Sequence, residues 1–218
     1  MTKFFDLDNT ITESKQIISK EMKEKLLSLG ETFIVISGAS KEQIEKQMDG
    51  IPCVVMGQSG NDAPDWMNKL TDKEVKTIWD HLRKVSEFCL VPLDGETVEH
   101  RGCQISLSFT GHNAPSEWKK KFDPSKEFRK HVLENVPFRV KGLNVRIAGT
   151  TCLDYNRKGC LKGNNLKRYM RLHRLKKKDC IYYGDNLQKG GNDESVIGVM
   201  QTVAVKNPND LMKKLCVE

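Results

Sequence analysis

The sequence predicts an α/β fold: a Rossmann-like parallel sheet with helices on both faces, interrupted by an inserted α+β unit. Three observations carry this expectation. Short apolar runs alternate with helix-period segments up to residue 56, an order that indicates parallel strands joined by right-handed crossovers. The run Thr32-Phe33-Ile34-Val35-Ile36 is apolar almost throughout, as a strand covered on both faces must be. After residue 65 the pattern turns to helices with hairpin-like strands, and near residue 151 the α/β pattern returns. The expected division is 1–65 and 151–218 for the core and 66–150 for the insert.

Taken in order, Phe4-Phe5 end a buried strand, and Asn9-Thr10 turn away from it. Alternation along that strand sends Asp6 and Asp8 to one side. Ile18, Met22, Leu26 and Leu27 recur at helical spacing within Ser14–Gly30, and Gly30 is a suitable stop. The Thr32–Ile36 strand leads through Ser37-Gly38-Ala39-Ser40 into a short helix, Lys41–Met48, and a third strand, Cys53–Met56. Gly57 to Trp66 reads as a loop. Thr71–Val85 is an amphipathic helix, and Phe88–Leu90 is read as a strand. Thr97–Arg101 and Gln104–Phe109 form a hairpin turning at Gly102. Glu117–Leu133 is helical with a break near Pro124, and Asn144–Ile147 is a strand. In the second core part, Cys152–Tyr155 is a strand, Lys162 opens a helix to about Leu175, and Asp179–Tyr183 is a strand ending in Gly184-Asp185. Val199–Val205 contains the last strand, and Asn209–Cys216 is the last helix.

Composition narrows the function classes. The chain has 218 residues, 38% hydrophobic and 30% charged, so it can bury a sizeable core. No apolar run reaches the roughly 20 residues that span a bilayer. No signal peptide is read at the N-terminus, which moves straight into a strand. Seven scattered cysteines without a Cys-x-x-Cys pair indicate free thiols in a reducing, cytoplasmic setting, and neither a disulfide framework nor a zinc site. The net charge of +7 is concentrated in Lys167, Arg168, Arg171, Arg174 and Lys176 to Lys178. At helical spacing this reads as a solvated face rather than a nucleic-acid surface. The apolar face of Thr71–Val85 fits packing within the insert or a homodimer contact equally well.

Ligands of an open parallel sheet bind beyond the carboxyl ends of its strands. There the sequence places Asp6 and Asp8, Ser37, Asp185, and the loop Gly190-Gly191-Asn192-Asp193, with Lys162 at a helix start. This set suits phosphoryl transfer. Asp6 is the candidate nucleophile, forming an aspartyl phosphate. Asp8 is the candidate general acid for the leaving oxygen and then base for water. Carboxylates this close need a divalent cation, so Mg²⁺ is expected, with Asp6, the Asp8 carbonyl, Asp185, Asn192 and Asp193 as its candidate oxygen ligands. Ser37 and Lys162 are expected to hold the phosphoryl oxygens.

These residues resemble the four motifs of the haloacid dehalogenase superfamily: Asp6-Leu7-Asp8-Asn9-Thr10, Ser37, Lys162, and Gly184-Asp185 with Gly190-Gly191-Asn192-Asp193. The insert between the second and third motifs resembles the IIB (Cof-like) group, which implies a cap that covers the site. Within that group the pattern is most similar to eukaryotic-type phosphomannomutases, through Asp6 to Met22, Val98-Glu99-His100-Arg101, Ser106-Leu107-Ser108 with Gly111, and Asp154 with Gly159 to Lys162. The resemblance implies a small phosphorylated substrate, a sugar phosphate, met by Lys15, Arg101, His112 and Asp154. The chain also departs from that family. The mutases carry arginine where Lys15 and His112 stand, serine where Cys152 stands, and glycine where Asn9 stands. Their second motif reads Gly-Gly-Ser, whereas Ser37-Gly38 is what phosphatases show. A mutase must keep hold of a bisphosphate, so the altered grips favour a Mg²⁺-dependent phosphatase over mannose 1-phosphate/6-phosphate interconversion. A polynucleotide phosphatase is the less favoured alternative.

Overall fold

The computed structural model describes residues 1–216 and divides into two units, Met1–Met67 with Gly159–Glu218, and Asn68–Lys158. In chain order the elements are β1 (Thr2–Phe5), α1 (Lys20–Leu27), β2 (Ile34–Ile36), α2 (Lys41–Met48), β3 (Val54–Met56), β4 (Asp62–Ala63), β5 (Trp66–Met67), α3 (Asp72–Cys89), β6 (Val98–His100), β7 (Ile105–Ser108), α4 (Ser116–Phe122), α5 (Glu127–Asn135), β8 (Leu143–Ala148), β9 (Cys152–Arg157), α6 (Lys162–Leu172), β10 (Cys180–Gly184), β11 (Gln201–Ala204) and α7 (Pro208–Leu215).

The first unit is built on a five-stranded parallel sheet in the order β11-β10-β1-β2-β3. Side chains alternate across its strands, so each face gathers its own core. Phe5, Val35, Val55, Ile181 and Tyr183 pack on Met22 and Leu26 of α1, Ile44 and Met48 of α2, and Leu211 and Leu215 of α7. Phe4, Ile34, Ile36, Met56 and Tyr182 pack on Leu166, Tyr169 and Met170 of α6, with Trp66 at the β4–β5 hairpin. The strand order reverses between β1 and β10, which makes the gap beyond their carboxyl ends the topological switch point where ligands bind in such sheets.

The second unit has a four-stranded antiparallel sheet, β6-β7-β9-β8. One face carries Val98, Ile105, Leu107, Leu153 and Tyr155, buried with Ile78, Leu82 and Val85 of α3 and Val132 of α5. The apolar face of α3 is thus used inside this unit. Arg129 of α5 is fully buried here. Its guanidinium donates to Asp123 Oδ2 at 2.7 Å and to the carbonyls of Ala148 and Gly149 at 2.8 and 3.1 Å. Asp123 in turn accepts from the Phe128 and Arg129 backbone N–H groups at the start of α5. One guanidinium therefore ties the α4–α5 corner to the β8–β9 turn.

Several expectations are corrected. Cys152–Arg157 lies in the antiparallel sheet of the second unit, so this unit runs to Lys158 and the core resumes at Gly159 rather than 151. The reason is the short Gly149–Thr151 connection: it can join only antiparallel neighbours, because a parallel pair needs a crossover of a dozen or more residues. Phe88–Leu90 is not a strand. α3 continues through Cys89 and ends at Leu90 in the left-handed region, φ 54°. α1 begins at Lys20 rather than near Ser14, because the Ser19 hydroxyl accepts the Met22 N–H and sets the N-cap there. The 57–66 stretch is not plain loop; it forms a 3₁₀ turn at Gln58–Gly60 and most of the β4–β5 hairpin.

Replacing Arg129 by Ala strands the buried Asp123 carboxylate and two carbonyls. Urea unfolding of Arg129→Ala should show a loss of about 3 kcal/mol or more.

Candidate active site

The site is assembled from the carboxyl ends of β1 and β10 and the start of α6. β1 ends at Phe5, one residue before Asp6, and the Asp6 N–H donates to the Tyr183 carbonyl of β10 at 2.9 Å. This bond fixes the Asp6 backbone at the switch point. Asp185 follows β10 directly, and the loop behind it returns Asp193 to the same place. One carboxylate oxygen from each of Asp6, Asp185 and Asp193 lies within 4.8 Å of the others. Lys162, at the first turn of α6, is 1% exposed, and its ammonium donates to Asp6 Oδ1 and, at 2.7 Å, to Asp193 Oδ1. Asp193 Oδ1 also accepts the Tyr182 hydroxyl at 2.8 Å, while its Oδ2 accepts the Asn186 N–H at 3.4 Å.

Three carboxylates against one ammonium leave two negative charges in a buried space. The ionisation equilibria register this imbalance. Burial, above all, pushes the Asp6 carboxyl well above its ordinary range, and the charges of Asp193 and Asp185 add to the push against the opposing pull of Lys162. Asp185 is raised by burial and then by Asp193. Burial alone would drive the Lys162 ammonium down, yet Asp193 and Asp6 hold it above the usual lysine value, so it stays charged. A divalent cation removes the imbalance, and an all-oxygen donor set of this kind fits Mg²⁺. Asp6, Asp185 and Asp193 are the residues that could hold it.

Two glycines permit the close approach. A Cβ on Gly163 would stand 1.8 Å from the Ser195 carbonyl oxygen, and one on Gly184 would stand 2.4 Å from Asp193 Oδ2. Both lie far inside contact distance, so α6 and the Asp193 loop can reach the sheet end only with glycine at these positions.

The other predicted residues are placed as follows. Asp8 is half-buried, outside the carboxylate cluster. Its Oδ1 accepts the Lys15 N–H at 2.8 Å and Gln47 Nε2 at 3.3 Å. Lys15 adopts φ 61°, which turns its N–H back to Asp8 while its side chain is exposed. Asn9 sits at φ 59°, a region open to glycine and tolerated by asparagine, which accounts for asparagine where the mutases have glycine. Ser37 is buried at the end of β2, its Oγ accepting the Ala39 N–H at 3.2 Å. Asn192, next to Asp193 in the chain, is exposed. Tyr182 was absent from the sequence-based set. As one apolar-looking strand residue among several it carries no motif signal, and only the register of β10 turns it towards Asp193.

Arg101, His112 and Asp154 lie together in the second unit. The strand register aligns Glu99, Ser106, Asp154 and Arg146 in one row across all four strands, on the face opposite the apolar core. Asp154 accepts the Ser106 hydroxyl at 2.6 Å. Burial raises its carboxyl, against the charges of Arg101, His112 and Arg146. Arg101 forks onto Glu99 Oε2 through Nε at 2.8 Å and through Nη2. His112 is 4% exposed, with Nε2 3.2 Å from the Ser106 carbonyl and Nδ1 3.5 Å from Glu99 Oε1.

Comparison with known proteins follows this geometry. The sequence profile of eukaryotic phosphomannomutase matches residues 58–217. A phosphomannomutase of Schizosaccharomyces pombe is 25% identical over 97% of this chain and 91% of its own length. One from Triticum aestivum is 26% identical over 96% of this chain and 92% of its own. Among solved structures, a haloacid dehalogenase-like hydrolase from Bacteroides thetaiotaomicron superposes with a TM-score of 0.65 at 14% identity, covering 99% of this chain and 98% of that one. An N-terminally truncated IMP-nucleotidase of Plasmodium falciparum gives 0.68 at 16%, covering 99% of this chain and 69% of that one. These two likenesses concern the fold.

The raised Asp185 value has a consequence for stability. The native chain holds this proton more tightly than the unfolded chain, so ionising Asp185 opposes folding. The penalty is absent below the ordinary carboxylate range, grows as pH rises from there to the shifted value, and is complete above it. Asp185→Asn should therefore raise the melting temperature of metal-free protein at pH 7 and leave it unchanged near pH 3. Added Mg²⁺ should stabilise the wild type and have much less effect on the variant; thermal melts with EDTA or Mg²⁺ read both.

Proposed function

We propose a phosphatase reading from one premise: the chain belongs to the eukaryotic phosphomannomutase family, within the haloacid dehalogenase superfamily. In this reading it hydrolyses a small phosphomonoester, a sugar phosphate, through an aspartyl phosphate on Asp6. The observation that carries phosphoryl transfer is the buried Asp6–Lys162–Asp193 network beside Asp185 at the switch point. Asp6 attacks phosphorus, and the bond to the leaving oxygen breaks. Asp8 delivers a proton to that oxygen. Its Oδ1 is held by Lys15 N–H and Gln47, while Oδ2 accepts no hydrogen bond among the described residues, which suits a proton-transferring oxygen. Asp8 then takes a proton from water, water attacks phosphorus, and the Asp6–phosphorus bond breaks. Ser37 and Lys162 steady the phosphoryl oxygens. Asp6 and Asp185, with Asp193 beside them, would hold Mg²⁺, which would supply charge neutralisation for nucleophile and phosphate. Arg101, His112, Asp154 and Lys15 serve substrate recognition. The free thiols of all seven cysteines suit a cytoplasmic setting, and no helix among the described residues is long and apolar enough to cross a membrane.

His112 favours hydrolysis over interconversion. Where the mutases place a guanidinium fork, this chain has a buried imidazole engaged by a backbone carbonyl and Glu99. An imidazole held this way does not replace a bidentate grip on a second phosphate. Family membership and the retained Arg101 favour the second reading, interconversion of mannose 1- and 6-phosphates.

A screen of sugar monophosphates with Mg²⁺ separates the two. Phosphate release without stimulation by a hexose bisphosphate is expected; isomerisation without net phosphate release would sink the hydrolytic reading. Asp6→Asn should lower kcat by about a thousandfold or more, since it removes the attacking group. His112→Ala should alter KM more than kcat.

A further inference from the structure

We propose that Tyr182 is a positioning residue of the phosphoryl-transfer site, its hydroxyl setting Asp193 and, through Asp193, the place of the Lys162 ammonium beside Asp6. The inference rests on the reading of Asp6 as nucleophile. The geometry is a closed triangle. Tyr182 OH donates to Asp193 Oδ1 at 2.8 Å, Lys162 Nζ donates to the same oxygen at 2.7 Å, and Lys162 Nζ stands 3.4 Å from the Tyr182 oxygen. All three side chains are 1% exposed or less.

Packing does not require this hydroxyl. The Tyr182 ring sits in the apolar layer against Phe4, Leu166 and Met170, where phenylalanine would fill the same volume. What phenylalanine lacks is the one donor besides Lys162 that reaches Asp193 Oδ1 among the described residues. Buried and faced by Asp193, Asp6 and Asp185, the phenol is held far above its ordinary ionisation range, so it remains a donor at working pH.

The ammonium has two competing carboxylates, Asp6 and Asp193. Without the hydroxyl, Asp193 keeps only Lys162 on Oδ1 and the long Asn186 N–H bond, 3.4 Å, on Oδ2, which draws the ammonium off Asp6. With Tyr182 in place, Asp193 Oδ1 is shared between a neutral donor and the ammonium, and Lys162 can bridge to Asp6 Oδ1. The hydroxyl thus governs how one positive charge is divided between the nucleophile and the residue behind it. That division also sets how much negative charge Asp6 and Asp185 present to a cation.

The test is Tyr182→Phe, with its fold checked by circular dichroism and melting. Two readouts are used, hydrolysis of p-nitrophenyl phosphate and calorimetric titration with Mn²⁺. A hydrogen bond to a buried charged group predicts that kcat falls about tenfold or more while KM moves less than about twofold. The Mn²⁺ dissociation constant should shift by at least about threefold, because the charge facing the cation changes. Site-specific 3-fluorotyrosine at 182, which keeps the donor, should restore both and serves as the decisive variant if the phenylalanine protein does not fold. Unchanged kcat and unchanged Mn²⁺ affinity in folded Tyr182→Phe, or failure of 3-fluorotyrosine to restore them, would overturn the proposal. The Mn²⁺ arm is read without turnover, so an inactive wild type that binds Mn²⁺ would count against the phosphatase reading and leave the Tyr182 arm intact.

Discussion

The structure depends on one buried ammonium. Lys162 sits between Asp6 and Asp193, contributed by segments 156 and 31 residues away in sequence. Taking a lysine out of water costs several kcal/mol, and only close carboxylates in good geometry offset that. The end of β1, the start of α6 and the loop after β10 must therefore arrive together, or none of the three is tolerable where it stands. This explains why the parts of the fold that admit no tolerance cluster here. The sheet places Asp6 through its N–H to Tyr183. The glycine at 163 lets α6 touch the Ser195 carbonyl. The glycine at 184 leaves space for the Asp193 carboxylate.

The same constraint produces a site poised for a cation. A single lysine cannot balance three carboxylates: burial first, and then the neighbouring carboxylates, hold the Asp6 and Asp185 carboxyls above their ordinary range. A chain selected only for stability would replace one of those carboxylates with an amide. Retaining all of them keeps a standing electrostatic cost at neutral pH, which a bound divalent ion would remove. Function and instability thus share the same atoms, as expected where charge is stored for catalysis.

Much of this was legible in the sequence because it is carried by local patterns. Apolar runs marked the core strands, and Asp6, Asp8, Ser37, Lys162 and Asp185 stood at strand or helix ends. Elements failed where a local signal met a topological one. Cys152–Tyr155 has the look of a core strand, yet the three residues before it already required a hairpin. Phe88–Leu90 looked extended only because the capping box at Thr71 and Glu74, which commits the chain to a long helix, lay a full helix length upstream. Gly184 at a strand end and Gly163 at a helix start carried no signal of their own; steric approach is their role, and the partner atoms belong to residues 193 and 195. Tyr182 was hidden for the opposite reason: its ring obeys the apolar pattern, and its hydroxyl matters only through a contact eleven residues away.

The second unit shows how a fold can be kept while its polar face is rewritten. Its apolar row, Val98, Leu107, Leu153 and Ile147 in register, anchors the helices. The row of Glu99, Ser106, Asp154 and Arg146 uses the other side of the same strands. Substitution there need not disturb the core, because alternate residues point away from it. His112, in the loop after β7, packs against this polar row. A guanidinium at this position would bring a permanent charge and five donors, whereas imidazole can be buried against a carbonyl and a glutamate. Arg101 then divides its fork with Glu99 instead of competing with a second arginine. Holding two phosphates at once demands two strong grips, while releasing a phosphate after one transfer demands only one. The arrangement around Glu99 therefore presents a guanidinium from Arg101 and an imidazole from His112 on the same carboxylate.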